Sequence, residues 1–418
     1  MDKNIIKVRN IEIKNNRIEY YLQLEGSVKK YFNQSINMFV EYNSSIEGVP
    51  EGIAVIPLLT NILPVAWFTD SEIQVETIDK TFYESIDQIK QGYVDMHVNA
   101  NLKGGFRANN IVDYKYEPHN RCATFFSGGV DSMSTLITRI NEKPDLITVW
   151  GADISLNNKD AWSKVENEVV RFGEKNSLSN IIIKSSFKQF LNETLLDKSF
   201  GKDMGDLWWH GAQHGIGLIG LVVPYAFINK MRIVYVPSTH TDKDGHVSCA
   251  SYPTIDNKVR FGRCEVLHEG FENSRQDKIK NISRYIKEKD SNLFLRVCWK
   301  STDGKNCSIC EKCSRTIMGL IAEGINPNKH GFKIEKKQIK QIERKWKYEW
   351  IISHNIPLWI DIQDRFKENK YEVEKEESLK WILDIDLQKE EAKKQKIVNY
   401  LRIKIINKLK WEISKLKS

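Results

Sequence analysis

The 418-residue chain is predicted to be an α/β protein built on a doubly wound parallel sheet, and three observations predict it. Short apolar strand candidates alternate with helical stretches between about residues 117 and 330. A two-glycine loop joins the first of those strands to a helix. Four cysteines crowd one short segment downstream. Together they place a central α/β domain at 117–330, after an N-terminal accessory domain at 1–116 and before a charged helical extension at 331–418.

The strand candidates are Ala123–Phe126, Leu146–Trp150, Ile181–Lys184 and Ile233–Pro237. Each is a short apolar run, and the stretches between them are long enough for crossover helices, which is the pattern of parallel βαβ units. In such sheets ligands lie beyond the carboxyl ends of the strands. The segments that follow those ends are therefore the ones to read for chemistry: Ser127–Ser132, Gly151-Ala152-Asp153 and Ser238-Thr239-His240.

Ahead of the central domain, Ile5–Ile13 and Arg17–Leu24 alternate in the manner of strands around Asn15-Asn16, which predicts a hairpin. Thr81–Gly92 has helical spacing, so residues 1–116 read as an α+β or β-rich unit. Beyond 331 the sequence is dense in Lys and Glu and reads as helical. In its last part Val398, Leu401, Ile405, Leu409, Ile413 and Leu416 form an apolar stripe on a basic background. Such a helix packs on its own protein with a solvated Lys face, or lies on an acidic partner or anionic surface.

A hydrophobic fraction of 41% is enough for sizeable cores, and the net charge of +8 is local. From Leu387 to Ser418 ten Lys and Arg face three Glu, so the tail carries nearly all of the excess. An even basic footprint for a polynucleotide is thus not expected. The N-terminal sequence has no apolar signal-peptide core, and the apolar run Ile216–Ile228 is short for a bilayer and contains Pro224, so a cytoplasmic protein without a membrane span is expected. A protein partner would meet the N-terminal domain or the C-terminal helix, and self-association is compatible with both.

The run Phe125-Phe126-Ser127-Gly128-Gly129-Val130-Asp131-Ser132 sits between a strand and a helix that continues to about Ile140. Free N–H groups and the dipole at a helix start favour an anion. Gly128 and Gly129 let the backbone approach phosphate oxygens, and Ser127 and Ser132 add hydroxyl donors. Asp131 is out of place beside phosphate unless a cation such as Mg²⁺ lies between them. No Gly-Lys-Ser/Thr follows, so this is not a Walker loop. The motif resembles the Ser-Gly-Gly-x-Asp-Ser signature of the PP-loop ATP pyrophosphatases, within the adenine nucleotide alpha hydrolase superfamily. An ordinary turn capped by Asp131 or Ser132 is the structural alternative.

Cys298, Cys307, Cys310 and Cys313 follow one another at the spacings of a tetrahedral structural Zn²⁺ site, with Asp303-Gly304 turning the long spacer. Such a site is coordinatively closed, so its expected work is folding. The loop and the cysteines, in this order, resemble the 7-cyano-7-deazaguanine synthase (QueC) family, whose pattern Cys298, Cys307, Cys310, Cys313 and Arg315 match. The resemblance covers about residues 120–325. It implies an ATP-dependent ligase that adenylates a small-molecule or peptide carboxylate, releases pyrophosphate and passes the acyl group to a nitrogen nucleophile. ATP, Mg²⁺ and Zn²⁺ are the cofactors it implies. The extra N-terminal and C-terminal regions are more similar to the longer QueC-like proteins found beside antiviral defence genes, of the QatC kind, or in biosynthetic clusters. Where QueC proteins carry Gly-Gln-Arg-His and Gly-Arg-Asn stretches, this chain reads Trp150–Asp153 and His210–His214, so the substrate contacts do not carry over.

Among the remaining residues, His240 follows a strand end and is expected in the cleft, joining Asp131 and Ser132 as catalytic candidates. His210 and His214 share a helix face and read either as cleft groups, one of them a proton acceptor, or as satisfied structural histidines. Tyr252-Pro253 resembles a QueC dipeptide near the substrate. Cys249 and Cys264 would serve sulfur insertion through an acyl-adenylate, which needs an exposed thiol beside the loop; otherwise they are small buried hydrophobes. A nucleotide-binding subunit without turnover is the alternative outside enzymology.

Overall fold

The computed structural model describes residues 3–298, 300–350, 356–370, 377–387 and positions 389, 392 and 396. The apolar stripe from Val398 to Leu416 lies outside the described residues. The chain forms two compact units, one of Met1–Asn273 with Thr302–Gly304, the other of Ser274–Ser301 with Lys305–Ser418.

The first unit is organised by one sheet. In chain order its strands are β1 (Asn4–Lys14), β2 (Arg17–Glu25), β3 (Met38–Tyr42), β4 (Ser71–Asp79), β5 (Gly105–Val112), β6 (Cys122–Phe125), β7 (Asp145–Trp150), β8 (Asn180–Ser185), β9 (Ile233–Pro237), β10 (Arg260–Phe261) and β11 (Cys264–Glu269). They lie in the order β10-β11-β9-β6-β7-β8-β3-β2-β1-β4-β5. The stretch β11-β9-β6-β7-β8 is parallel throughout. Its central strands are nearly continuous runs of buried side chains, as expected where both faces are covered. β1 and β2 form the expected antiparallel hairpin, with Lys14 opposite Arg17.

β3 pairs antiparallel with β8, Val40 opposite Ser185 and Tyr42 opposite Ile183. The N-terminal strands therefore extend the same sheet, and the expected boundary near residue 116 falls between β5 and β6 inside one unit.

Eight helices accompany these strands among the described residues: α1 (Glu51–Ala54), α2 (Ile56–Thr69), α3 (Lys80–Met96), α4 (Val130–Arg139), α5 (Lys159–Asn176), α6 (Glu193–Met204), α7 (His214–Ile228) and α8 (Pro253–Asp256). α2 crosses α7 closely, because a Cβ on Gly220 would lie 1.8 Å from Thr60 Oγ1. Polar groups at the crossing are paired: Gln213 donates to Asn61 Oδ1 at 2.8 Å and Tyr42 to the Leu221 carbonyl at 2.8 Å. A π-helical turn, Trp209–Gln213, precedes α7 and lengthens the apolar segment to Trp209–Ile228. Length and composition would let it cross a membrane, yet 78% of its apolar window is buried inside the protein, the pattern of a core helix.

The second unit contains α9 (Arg275–Glu288), α10 (Glu311–Ala322), α11 (Lys336–Lys345) and α12 (Ile356–Glu368). Ser274 and Asp277 cap α9 reciprocally, satisfying two of its free N–H groups. Arg365 of α12 grips Glu323 with two parallel hydrogen bonds of 2.7 and 2.8 Å. α10 starts at Glu311, directly after Cys310, which takes the extended N-cap conformation.

Candidate functional site

The order of the parallel strands sets where a ligand can sit. From β6 the chain moves to β7 and β8 on one side, then returns to β9 on the other. The reversal opens a crevice between the carboxyl ends of β6 and β9. Thr124 pairs with Tyr235, so the segments beginning at Ser127 and Ser238 leave adjacent strands at the same edge.

The Ser127–Ser132 loop turns directly into α4. Gly128 takes a φ of +73°, a left-handed conformation that glycine adopts without a Cβ penalty, and Gly129 is the extended N-cap. Ser132 Oγ accepts from the Ser127 N–H at 3.3 Å and donates to the Gly129 carbonyl at 3.2 Å, closing the loop around its own hydroxyl. Ser127 Oγ lies 3.4 Å from it. Asp131 stands in the first turn of α4 with Oδ1 withdrawn from solvent. A backbone concavity with two hydroxyls and an acidic oxygen suits a phosphate accompanied by a divalent cation.

Across the crevice, Ser238 opens the segment that carries His240. Ser238 Oγ donates to the His240 carbonyl at 2.6 Å and lies 2.8 Å from His268 Nε2. His268 Nδ1 in turn is 2.7 Å from Asp256 Oδ2, which also accepts from Ser251 at 2.9 Å. This Ser–His–Asp chain resembles a hydrolase triad in connectivity, but both the His268 and Asp256 side chains are fully buried. With Ser238 only 1% exposed and its hydroxyl turned to the His240 carbonyl, it works as a brace for the His240 turn.

His240 is half-buried, with Nδ1 3.2 Å from Asp244 Oδ2 and Nε2 withdrawn from solvent without a hydrogen-bond partner among the described residues. Burial holds its pKa below the usual histidine range, against the pull of Asp244 and, more weakly, of Asp131. The loop carboxylate and this imidazole therefore share one electrostatic neighbourhood. His210 joins them, its ring 5.7 Å from that of His240 and 6.2 Å from the stacked ring of His214. The structure thus brings together His240 and the helix pair, with Asp131 within electrostatic reach of His240.

Cys249 belongs to the same group and Cys264 does not. Cys249 Sγ is grouped with the ring nitrogens of His210 and His240, whereas Cys264 opens β11. Both thiols are buried, and burial pushes Cys249 up to about 12 and raises Cys264 as well. Neither is a ready thiolate, which weighs against direct sulfur transfer. Gly151, after β7, has a φ of +110°, and a Cβ there would lie 2.0 Å from the Ser185 carbonyl. That residue closes the strand ends together rather than presenting a side chain.

In the second unit, Cys298, Cys307, Cys310 and Cys313 bring their four Sγ atoms within 4.8 Å of one another, a group that could hold a metal ion such as zinc. The Cys307 sulfur accepts from the Cys310 N–H at 3.3 Å across a turn in which Ser308 has a φ of +59°. Asn306 fastens the distant cysteine to this turn: its Oδ1 accepts from the Val297 and Cys298 N–H groups, and its Nδ2 donates to the Leu295 and Gly331 carbonyls. The hydrogen bond from Cys313 draws the Cys310 thiol below the usual thiol range.

Sequence reasoning missed His268, Asp256 and Asp244, whose partners are set by the fold. Only Asp244, four residues from His240, left a local trace. Comparison of the chain with protein-family models, with curated proteins and with solved structures gives no match.

Proposed function

We propose that the protein is an ATP-dependent ligase of the QueC-like PP-loop kind, forming AMP and pyrophosphate. The observation that carries this reading is the two-glycine turn at the start of α4, set at the strand-order reversal between β6 and β9. The N–H groups of the turn and the hydroxyls of Ser127 and Ser132 would hold the phosphates, and Asp131 would hold Mg²⁺, which supplies positive charge against the developing negative charge on phosphate.

A substrate carboxylate would attack the α-phosphorus as the bond to pyrophosphate breaks, and a nitrogen nucleophile would then displace AMP from the acyl carbon. The chain's own share is to align the carboxylate with the α-phosphorus and to exclude water. His240, braced by Ser238 and close in potential to Asp131, would face the acceptor side. The burial of Cys249 and Cys264 favours nitrogen over a protein-borne sulfur as the nucleophile. Zinc on the four cysteines would stabilise the second unit without entering the reaction.

Incubation with Mg²⁺, ATP and a panel of carboxylates should yield AMP and pyrophosphate, with Asp131→Ala lowering turnover by about 100-fold or more at unchanged fold. Production of ADP and phosphate alone would refute the reading. ATP binding that depends on Asp131 but never leads to turnover would instead make the protein a nucleotide-binding subunit, in a defence or biosynthetic complex.

A further inference from the structure

We propose that His210, His240 and Cys249 form a second metal site in the first unit, binding zinc through the two Nε2 atoms and Sγ and leaving a fourth position for water or an anionic substrate oxygen. One ring nitrogen of each histidine and Cys249 Sγ lie within 4.8 Å of one another. Ligands around a tetrahedral zinc stand about 3.4–3.8 Å apart, so a closure of about 1 Å completes the shell.

The surroundings of both histidines favour this role. His210 Nδ1 is 2.6 Å from Asp206 Oδ2 and 3.1 Å from the Ser248 carbonyl; His240 Nδ1 is 3.2 Å from Asp244 Oδ2. Carboxylate and carbonyl oxygens only accept, so each neutral ring carries its hydrogen on Nδ1 and its lone pair on Nε2. A carboxylate behind the imidazole is the usual support of a metal-bound histidine, and here it occurs twice in one cluster. The Nε2 of His240 is buried without a hydrogen-bond partner among the described residues, an unfavourable state for a polar atom that a ligand bond would relieve.

The backbone also converges on the cluster. His210 lies in the π-helical turn before α7, a rare feature that is frequent at functional sites. Its carbonyl accepts from the Ala250 N–H at 2.8 Å while its ring contacts the Ser248 carbonyl, so the two bonds flank Cys249. Cys249 is fully buried, whereas the His210 and His240 side chains keep 38% and 21% of their exposure, which gives an ion a way in. Two imidazoles and one thiolate suit a divalent ion of intermediate softness, and three protein ligands with an open position are the composition of reactive rather than structural zinc. On binding, Cys249 loses its proton to solvent and no redox partner is needed.

The proposal stands on these side chains alone and survives failure of the nucleotide reading. The full chain, produced with zinc and dialysed, should carry about two zinc ions by elemental analysis. His240→Ala and Cys249→Ser should each leave about one, Cys307→Ser should remove the other, and Asp206→Asn should weaken zinc binding by about 10- to 100-fold. Circular dichroism checks the fold of each variant, and His240→Ala, at a half-buried position, keeps the test open if Cys249→Ser fails to fold. Substitution with Co²⁺ should give a thiolate charge-transfer band in Cys307→Ser that disappears when Cys249→Ser is added. A single zinc in the wild type that His240→Ala retains would overturn the proposal.

Discussion

Gly215→Ala tests how the fold holds the cluster together. Gly215 is at the start of α7, directly after the π-helical turn. A Cβ there would lie 2.5 Å from the Ala250 carbonyl oxygen, 2.5 Å from Ser251 Cα and 2.6 Å from Asp256 Oδ1. Ordinary contacts begin near 3.4 Å, so the 250–251 segment must retreat by about 0.9 Å. It has little freedom to do so. The Ala250 N–H is bonded to His210, and Asp256 is fixed between His268 and Ser251. Helix propensity alone would make the alanine variant more stable by about 1 kcal/mol. Crowding of a packed interior costs about 1–3 kcal/mol, and rigid backbone neighbours put this site in the upper half of that range. The net loss is about 1–2 kcal/mol, or roughly 2–4 °C in Tm for a unit of this size. Differential scanning calorimetry reads the sign directly, and zinc content should fall with the displacement of Cys249. A Tm equal to or above that of the wild type would refute the close packing of 249–251 on α7.

Cys307→Ser, or treatment with a strong chelator, should lower the stability of the second unit by several kcal/mol and leave the far-ultraviolet signal of the sheet largely intact, read by limited proteolysis and circular dichroism. Burial lowers the pKa of His97, whose Nε2 is 2.8 Å from the Gly211 carbonyl. The unfolded chain then binds this proton first as pH falls, so the contribution is intact above about 6.5 and is lost progressively below it. His97→Gln, which can keep the donor to Gly211, should flatten the decline of Tm between about pH 6.5 and 5; an unchanged slope would show that His97 does not contribute. Ser238→Ala should leave His268 Nε2 without its buried partner and cost about 1–3 kcal/mol by chemical denaturation.

Parts of the fold that depend on local pattern were legible in the sequence. The apolar runs that became β6 to β9 are visible because a parallel strand buried on both faces needs nothing polar along its length. The four cysteines reveal themselves because a group that could hold one metal ion is gathered within sixteen residues of sequence, Cys298 to Cys313. The pairing of β3 with β8 was not legible, since it joins Tyr42 to Ile183 and neither run states its distant neighbour. The same holds for the Ser238, His268 and Asp256 brace, assembled when β11 lies beside β9. His210, paired with His214 on one helix face, and His240, at a strand end, were each noticed in the sequence, but not together. Their meeting with Cys249 depends on the π-helical turn and on how 248–250 lies against it, which no local pattern encodes.

The proposed nucleotide site is tested most directly by a crystal structure of the full chain with Mg²⁺ and α,β-methylene ATP, an analogue resistant to cleavage at the expected bond. The phosphates should lie over Gly128 and Gly129 at the start of α4, with Mg²⁺ on Asp131 and the α-phosphorus facing the side of the crevice that holds His240. Nucleotide bound elsewhere, or a loop left without phosphate at saturating analogue, would contradict it.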